Sequence, residues 1–285
     1  MELSVNARYF MKTLPDEAKR TPYECMKLFY DAGFRYLDYT PYTAGEDWEE
    51  QTDIAIEAAA RCGMILEQSH APYNRYSKRP IEEYRRHIDR SLEAAARMGN
   101  KQIAVHADDY AMEADGSYNG AHAMEQMYDF WAPFADKAAK LGVNLAIETV
   151  FEDRRGVPLS RFTSRLDELM GFIDRFRSPH VVCCWDSGHA YIAFKSGMLD
   201  AMKTLGSRIT CTHIHDNYYA TDLHLLPYEG EIPWEDHMKT LKTIGYKGNL
   251  TYEFVYGCRP ACLLEDFAAT AYKTGMHLKS IFDKA

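Results

Sequence analysis

Eight times in succession the chain passes from a short apolar segment to a longer amphipathic one, without a break in the alternation. The apolar segments are residues 3–7, 34–39, 64–70, 102–107, 143–149, 180–186, 209–215 and 249–254. Several are near-continuous apolar runs, as a strand covered on both faces must be. Between and after them, residues 22–31, 48–62, 81–98, 123–141, 164–176, 198–205, 234–244 and 263–282 repeat their apolar positions at the helical period. Segment 81–98 is the clearest, with Tyr84, Ile88, Leu92 and Ala95 on one stripe. Gly33, Gly63, Gly99, Gly142, Gly206 and Gly245 each follow a helical segment, where a left-handed residue ends a helix. Strand–helix–strand units make parallel sheets. Eight of them predict one (β/α)8 TIM barrel over residues 1–285. A doubly wound open sheet would place a glycine-rich phosphate loop after a strand, and none is present.

Composition narrows the function. Hydrophobic residues make up 46% of the chain, enough for a large core, and the formal net charge is −9. An acidic surface repels phosphate backbones, and no run of basic residues offsets it, so a nucleic-acid partner is not expected. No apolar stretch reaches the length of a membrane span. The first residues lack the basic-then-apolar order of a signal peptide. Seven scattered cysteines form no paired motif and read as reduced thiols, which predicts a cytoplasmic protein. A small-molecule partner is expected, and an oligomer is compatible with the composition.

The chemistry collects at the C-terminal ends of the apolar segments. Asp38 ends the second, His70 the third, His106 the fourth, Glu148 the fifth, Asp186 the sixth, His213 and His215 the seventh, and Glu253 the eighth. In a barrel these ends converge on one mouth. Like charges gathered there need compensation, which a bound cation supplies. Carboxylates and imidazoles are ligands for Zn2+, Mn2+ or Mg2+. Glu148, Asp186, His213 and Glu253 form an oxygen-rich set, better suited to Mn2+ or Mg2+ than to structural zinc. Asp186 also reads as an N-cap, with His189 three residues on as a substrate or second-metal contact. Asp222 and His224 read either as an ordinary polar loop or as further ligands. Cys184 and Trp185 read as barrel wall. Lys78, Arg79, Arg154, Arg155 and Arg161 fall in loops on the mouth side, as sugar-phosphate contacts or solvated charges. Tyr39, Tyr42, Tyr73, Tyr76, Tyr118, Tyr218, Tyr219 and Tyr256 fall there too, and aromatic faces with polar tips suit a carbohydrate.

Five motifs together resemble the sugar-phosphate isomerase/epimerase family of xylose-isomerase-like barrels. They are Asn144-Leu-Ala-Ile-Glu-Thr149, Cys184-Trp-Asp-Ser-Gly-His189, Thr212-His-Ile-His-Asp-Asn217, Asp222-Leu-His-Leu-Leu-Pro227 with Gly230-Glu-Ile-Pro-Trp234, and Leu250-Thr-Tyr-Glu-Phe254. The resemblance to the ketose 3-epimerases implies one divalent metal on Glu148, Asp186, His213 and Glu253. His213 is preferred to His215 because the family's ligand histidine has an acid three residues later, here Asp216. It further implies Glu148 and Glu253 as a proton-transfer pair working through an enediolate, and His189 on a substrate oxygen, with a sugar or sugar phosphate as substrate. The epimerases carry an arginine six residues after the ligand histidine, where this chain has Tyr219. Endonuclease-IV-type nucleases share the barrel and use three zinc ions. Their pattern traces onto His70, His106, Glu148, Asp186, His189, His213, Asp222, His224 and Glu253, which implies sites for additional Zn2+. A metal-dependent lyase or dehydratase of the inosose-dehydratase type would begin with the same proton abstraction. A barrel that only binds a sugar would not need both glutamates.

Overall fold

Residue parity along the strands decides what reaches the mouth of this molecule. The computed structural model describes residues 1–73, 79–107, 117–152, 161–218 and 221–285; Tyr76, Lys78, Arg154, Arg155 and Tyr219 lie outside them. The strands are β1 (Leu3–Asn6), β2 (Tyr36–Asp38), β3 (Ile65–His70), β4 (Gln102–Val105), β5 (Asn144–Glu148), β6 (Val181–Asp186), β7 (Ile209–His213) and β8 (Leu250–Tyr252). All pair in parallel, in the order β7-β6-β5-β4-β3-β2-β1-β8. The ring closes between its two ends at Ile214, whose N–H donates to Thr251 O at 2.7 Å and whose carbonyl accepts from Glu253 N at 3.1 Å. This seam lies just past β7, on the mouth side.

Side chains alternate across a strand. Ala104, Ala146, Val182, Cys184 and Cys211 point inward and form a buried cluster of small side chains inside the ring. Ile103, Val105, Leu145, Ile147, Cys183 and Trp185 belong to the larger core shared with the surrounding helices. Two residues beyond Ala104, Ala146, Cys184 and Cys211, the same parity delivers His106, Glu148, Asp186 and His213 into the mouth. Cys184 and Trp185 are therefore wall, one on each face, and Trp185 Nε1 donates to His237 Nε2 at 3.0 Å.

The helices are α1 (Ala7–Thr13), α2 (Pro22–Ala32), α3 (Trp48–Cys62), α4 (Ile81–Arg97), α5 (Gly120–Leu141), α6 (Leu166–Arg175), α7 (Ser187–Phe194), α8 (Met198–Leu205), α9 (Trp234–Thr243) and α10 (Leu264–Lys284). The glycines proposed as helix stops, Gly33, Gly63, Gly99, Gly142, Gly206 and Gly245, all have positive φ. Among the described residues, no helix is long and apolar enough to cross a membrane.

Two helices correct the sequence reading. Residue 7 was expected to end the first strand, but it opens α1, because the Asn6 side chain accepts from Tyr9 N at 2.9 Å. Similarly, Asp186 Oδ1 accepts from His189 N at 2.7 Å and starts α7 directly on β6. α7 is nearly apolar on all sides, so it shows no helical period. Both extra helices sit on the mouth, so they shape the site.

Candidate metal centre

Glu148 is the hub. Its Oε1 lies 3.1 Å from His213 Nδ1 and 3.4 Å from His189 Nδ1. Its Oε2 lies 2.9 Å from His70 Nε2 and 3.1 Å from His106 Nε2. His213 Nδ1 also stands 3.7 Å from Glu253 Oε2 and 4.0 Å from Asp186 Oδ2. Three sets of ligand atoms result, each within 4.8 Å of one another: Glu148 with Asp186, His213 and Glu253; Glu148 with His70 and His106; and His189 with His215, Asp222 and His224. Glu148 is shared by the first two, one oxygen turned toward each.

The histidines are aimed by their other ring nitrogen. His70 Nδ1 donates to Ala71 O at 2.6 Å, His189 Nδ1 to Thr149 O at 2.9 Å, and His224 Nδ1 to Glu253 O at 2.7 Å. Each ring therefore turns Nε2 inward. His213 is reversed: its Nε2 lies 3.0 Å from Gln68 Nε2 and 3.4 Å from Asp38 Oδ2, and its Nδ1 faces the carboxylates. Such partners fix the tautomer and orientation of a metal-binding imidazole. Asp38 is the residue the sequence reading recorded at a strand end but gave no part in the site. Asp38→Asn is expected to weaken metal binding by about 10–100-fold, measured with a competing chelator. An unchanged affinity would remove Asp38 from the site.

In the chain alone, the carboxylates and imidazoles of the site compensate one another's charge. Burial would raise the Glu148 carboxyl, but the charges of His213 and His106 and hydrogen bonds from His106 and His189 hold it well below the usual range. Burial is likewise outweighed at Asp186 by His189 and His215, and at Asp222 by His224 and His189, so both carboxyls sit low. The imidazoles move the other way. Against burial, Glu253 and Glu148 push His213 well up, and Asp222 lifts His224 to about 9. Asp222 Oδ1 and Asp38 Oδ1 are buried without a hydrogen-bond partner. Oxygen and imidazole donors in this arrangement fit Zn2+, Mn2+ or Mg2+. His224, lifted to about 9, carries a proton at neutral pH that a bound metal would have to displace, so uptake there should release protons and weaken as pH falls. Zinc titration calorimetry at pH 7 in buffers of different ionisation enthalpy should give buffer-dependent heats. Equal heats would mean the imidazoles are already neutral.

The loop after β7 delivers Asp222 and His224, and one buried carboxylate holds it. Asp216 Oδ1 accepts from Asn217 N at 2.9 Å and Ile232 N at 3.1 Å. Its Oδ2 accepts from Tyr228 N at 3.0 Å, Gly230 N at 3.1 Å and Trp234 Nε1 at 2.8 Å. A Cβ at Gly230 would strike the Asp216 carboxylate and the Asn217 carbonyl, so only glycine lets the loop close. Gly188 plays the same part in α7, where a Cβ would run into the His215 ring.

Above the ligands lies a cavity of about 660 Å³. Glu148, Glu253, His70, His106, His189, Asp222 and His224 line it, while Asp186, His213 and His215 sit behind. Of the mouth-side cations, Arg79 and Arg161 line it, as do Arg8 and Lys12 on α1, which sequence reasoning missed because α1 was not recognised as a helix. Tyr42 and Tyr73 line it with Tyr9, also on α1. Tyr39 and Tyr256 are instead buried in the core, and Tyr118 and Tyr218 are not in the lining.

The pattern of xylose isomerase-like TIM barrels matches residues 15–277. The chain belongs to that family. The uncharacterised protein y4fM of Sinorhizobium fredii is 22% identical over 258 residues, covering 80% of this chain and 79% of its own. A D-psicose 3-epimerase solved in the presence of D-fructose superposes with a TM-score of 0.76 at 17% identity, covering 98% of this chain and 99% of that one. An AP endonuclease of family 2 from Brucella melitensis gives 0.70 at 18%, covering 92% and 95%. At such identities the structures share the barrel, and one barrel hosts many chemistries.

Proposed function

We propose that this protein is a divalent-metal-dependent isomerase or epimerase of a sugar or sugar phosphate, with Glu148 and Glu253 as its proton-transfer pair. The observation that carries this reading is which ligands the cavity reaches. Of the four central residues, only Glu148 and Glu253 line it. A group that holds a metal can sit behind; a group that moves a proton must face the substrate. A metal held by Glu148, Asp186, His213 and Glu253 would supply the positive charge that stabilises a developing oxyanion. Asn6 Nδ2 donates to Glu253 Oε1 at 3.1 Å and fixes that carboxylate. Glu148 comes from β5 and Glu253 from the chain just past β8, so the two approach the cavity from different strands. One can take a proton from the carbon beside a carbonyl while the other returns one. His189 lines the cavity with Nδ1 committed to Thr149 O and Nε2 3.5 Å from Asp222 Oδ2, so a substrate oxygen or a metal would compete with that carboxylate for Nε2. A lyase or dehydratase would use the same first step and differ in losing water or another group afterwards.

The test is proton exchange. Purified protein loaded with Mn2+, Mg2+ or Zn2+ is incubated in D2O with a panel of ketoses and ketose phosphates and followed by NMR. A turned-over substrate should gain solvent deuterium at the carbon beside its carbonyl. Turnover with no deuterium in substrate or product would overturn the reading.

One observation favours a second reading, a trinuclear zinc phosphodiesterase: three ligand groups rather than one, two of them sharing Glu148. Metal analysis separates the two. About one metal per chain supports the isomerase; three zincs per chain with cleavage of abasic-site DNA supports the nuclease. The net charge of −9 weighs against a DNA substrate, because duplex affinity rests mainly on phosphate neutralisation.

A further inference from the structure

We infer that the substrate is an anionic sugar, its phosphate or carboxylate seated on Arg8 and Lys12 at the rim of the cavity; this rests on the reading of the site as a sugar-converting metal centre. Arg8 and Lys12 are one turn apart on α1, and both line the cavity. Like charges at this spacing repel each other on a helix. Among the described residues, no carboxylate comes within 4.0 Å of either to form an ion pair. Arg8 reaches the Tyr39 side chain, a neutral partner. The wall around Lys12 and the Arg8 charge beside it both pull its ammonium down, against a weaker pull upward from Glu253. The pair is thus close and poorly compensated.

The placement is rigid as well as charged. Asn6 caps the start of α1, Phe10 is fully buried against Phe29, Phe254 and Phe267, and Thr13 Oγ1 accepts from Tyr256 N at 2.9 Å. Tyr9, between the two cations, lies 4.7 Å from the His224 ring, so the same turn that carries the charges is packed on the metal ligands. The acids lining the cavity are Glu148, Asp222 and Glu253, all directed at the ligand groups. Once metals neutralise those, the rim cations face an empty cavity that a neutral sugar would leave unmatched. A sugar whose hydroxyls meet the metal centre and whose anionic end meets α1 matches both halves.

The test uses metal-loaded protein and two probe pairs: D-fructose with D-fructose 6-phosphate, and D-glucose with D-glucuronate. Binding is read by calorimetry, and bound metal is counted in the same samples. At least one anionic member should bind about tenfold or more tightly than its neutral partner, the scale of a charge-assisted contact. The pair that shows it tells phosphate from carboxylate. That advantage should shrink in Lys12→Gln and reverse in Lys12→Glu, with the neutral sugar unaffected. Equal binding within both pairs overturns the inference, as does an advantage that survives Lys12→Glu, because the anion then sits on the metals. Protein that holds metal but shows no anion preference leaves the functional reading intact; protein that takes up no metal sinks both.

Discussion

Glu253→Gln should cut turnover of the true substrate by about 10²–10⁴, the usual cost of a lost general base. Glu148→Gln should do at least as much, but for a second reason. Glu148 accepts from His70, His106 and His213, and His189 Nδ1 stands 3.4 Å from its Oε1. An amide there turns an N–H against imidazole donors and removes the oxygen shared by two ligand groups. Metal loss and lower stability are therefore expected alongside lost proton transfer. Among the described residues, Glu253 takes one side-chain hydrogen bond, from Asn6 Nδ2, whose amide can meet a glutamine oxygen equally well. Glu253→Gln is the cleaner experiment for that reason. With metal occupancy matched to wild type, it should abolish deuterium exchange at the carbon facing Glu253. Wild-type turnover in the metal-matched Glu253→Gln protein would end its role as a base.

Much of this site was legible because a parallel barrel enforces it. Parity along each strand is fixed, so a polar residue that breaks an apolar run at its C-terminal end has one place to go. Glu148 after residues 144–147 and Asp186 after Val181 to Trp185 are of this kind. What could not be read was anything set by a turn. Asp38 looked like one more strand-end acid, and only its 3.4 Å approach to His213 Nε2 gives it a task. Whether His213 or His215 joined Glu148 depended on where β7 stopped. The ring closes at Ile214 between them, leaving His213 in the central group and His215 against Asp186 and the stacked His224 ring, 4.0 Å away. α1 escaped notice because a seven-residue helix begins on the last residue of an apolar run. Arg8, Tyr9 and Lys12 went unnoticed with it.

Asp216→Ala should be the most destabilising single change near the site, although Asp216 touches neither the cavity nor any ligand group. Sequence reasoning used Asp216 only as a marker for which histidine to choose. The structure gives it five N–H donors and no exposed surface. A buried donor left unsatisfied costs about 1–3 kcal/mol. Some of the five will find water once the loop loosens, so a net loss of roughly 3 kcal/mol or more is expected. Asp216→Asn should recover little, because its amide offers N–H to donors on one side. Trp234→Phe removes one donor of the five and should cost far less, provided the smaller ring still fills its buried place. The loss should also be local in its chemistry. The segment tied down by Asp216 carries Asp222 and His224, whereas His70, His106 and Glu148 come from β3, β4 and β5. Metal counted per folded chain should therefore fall first at the group of His189, Asp222 and His224. Denaturant melts and metal analysis on the same Asp216→Asn preparation decide it. A melt within about 0.5 kcal/mol of wild type, the scatter of an ordinary surface substitution, would show that something other than this carboxylate holds the loop.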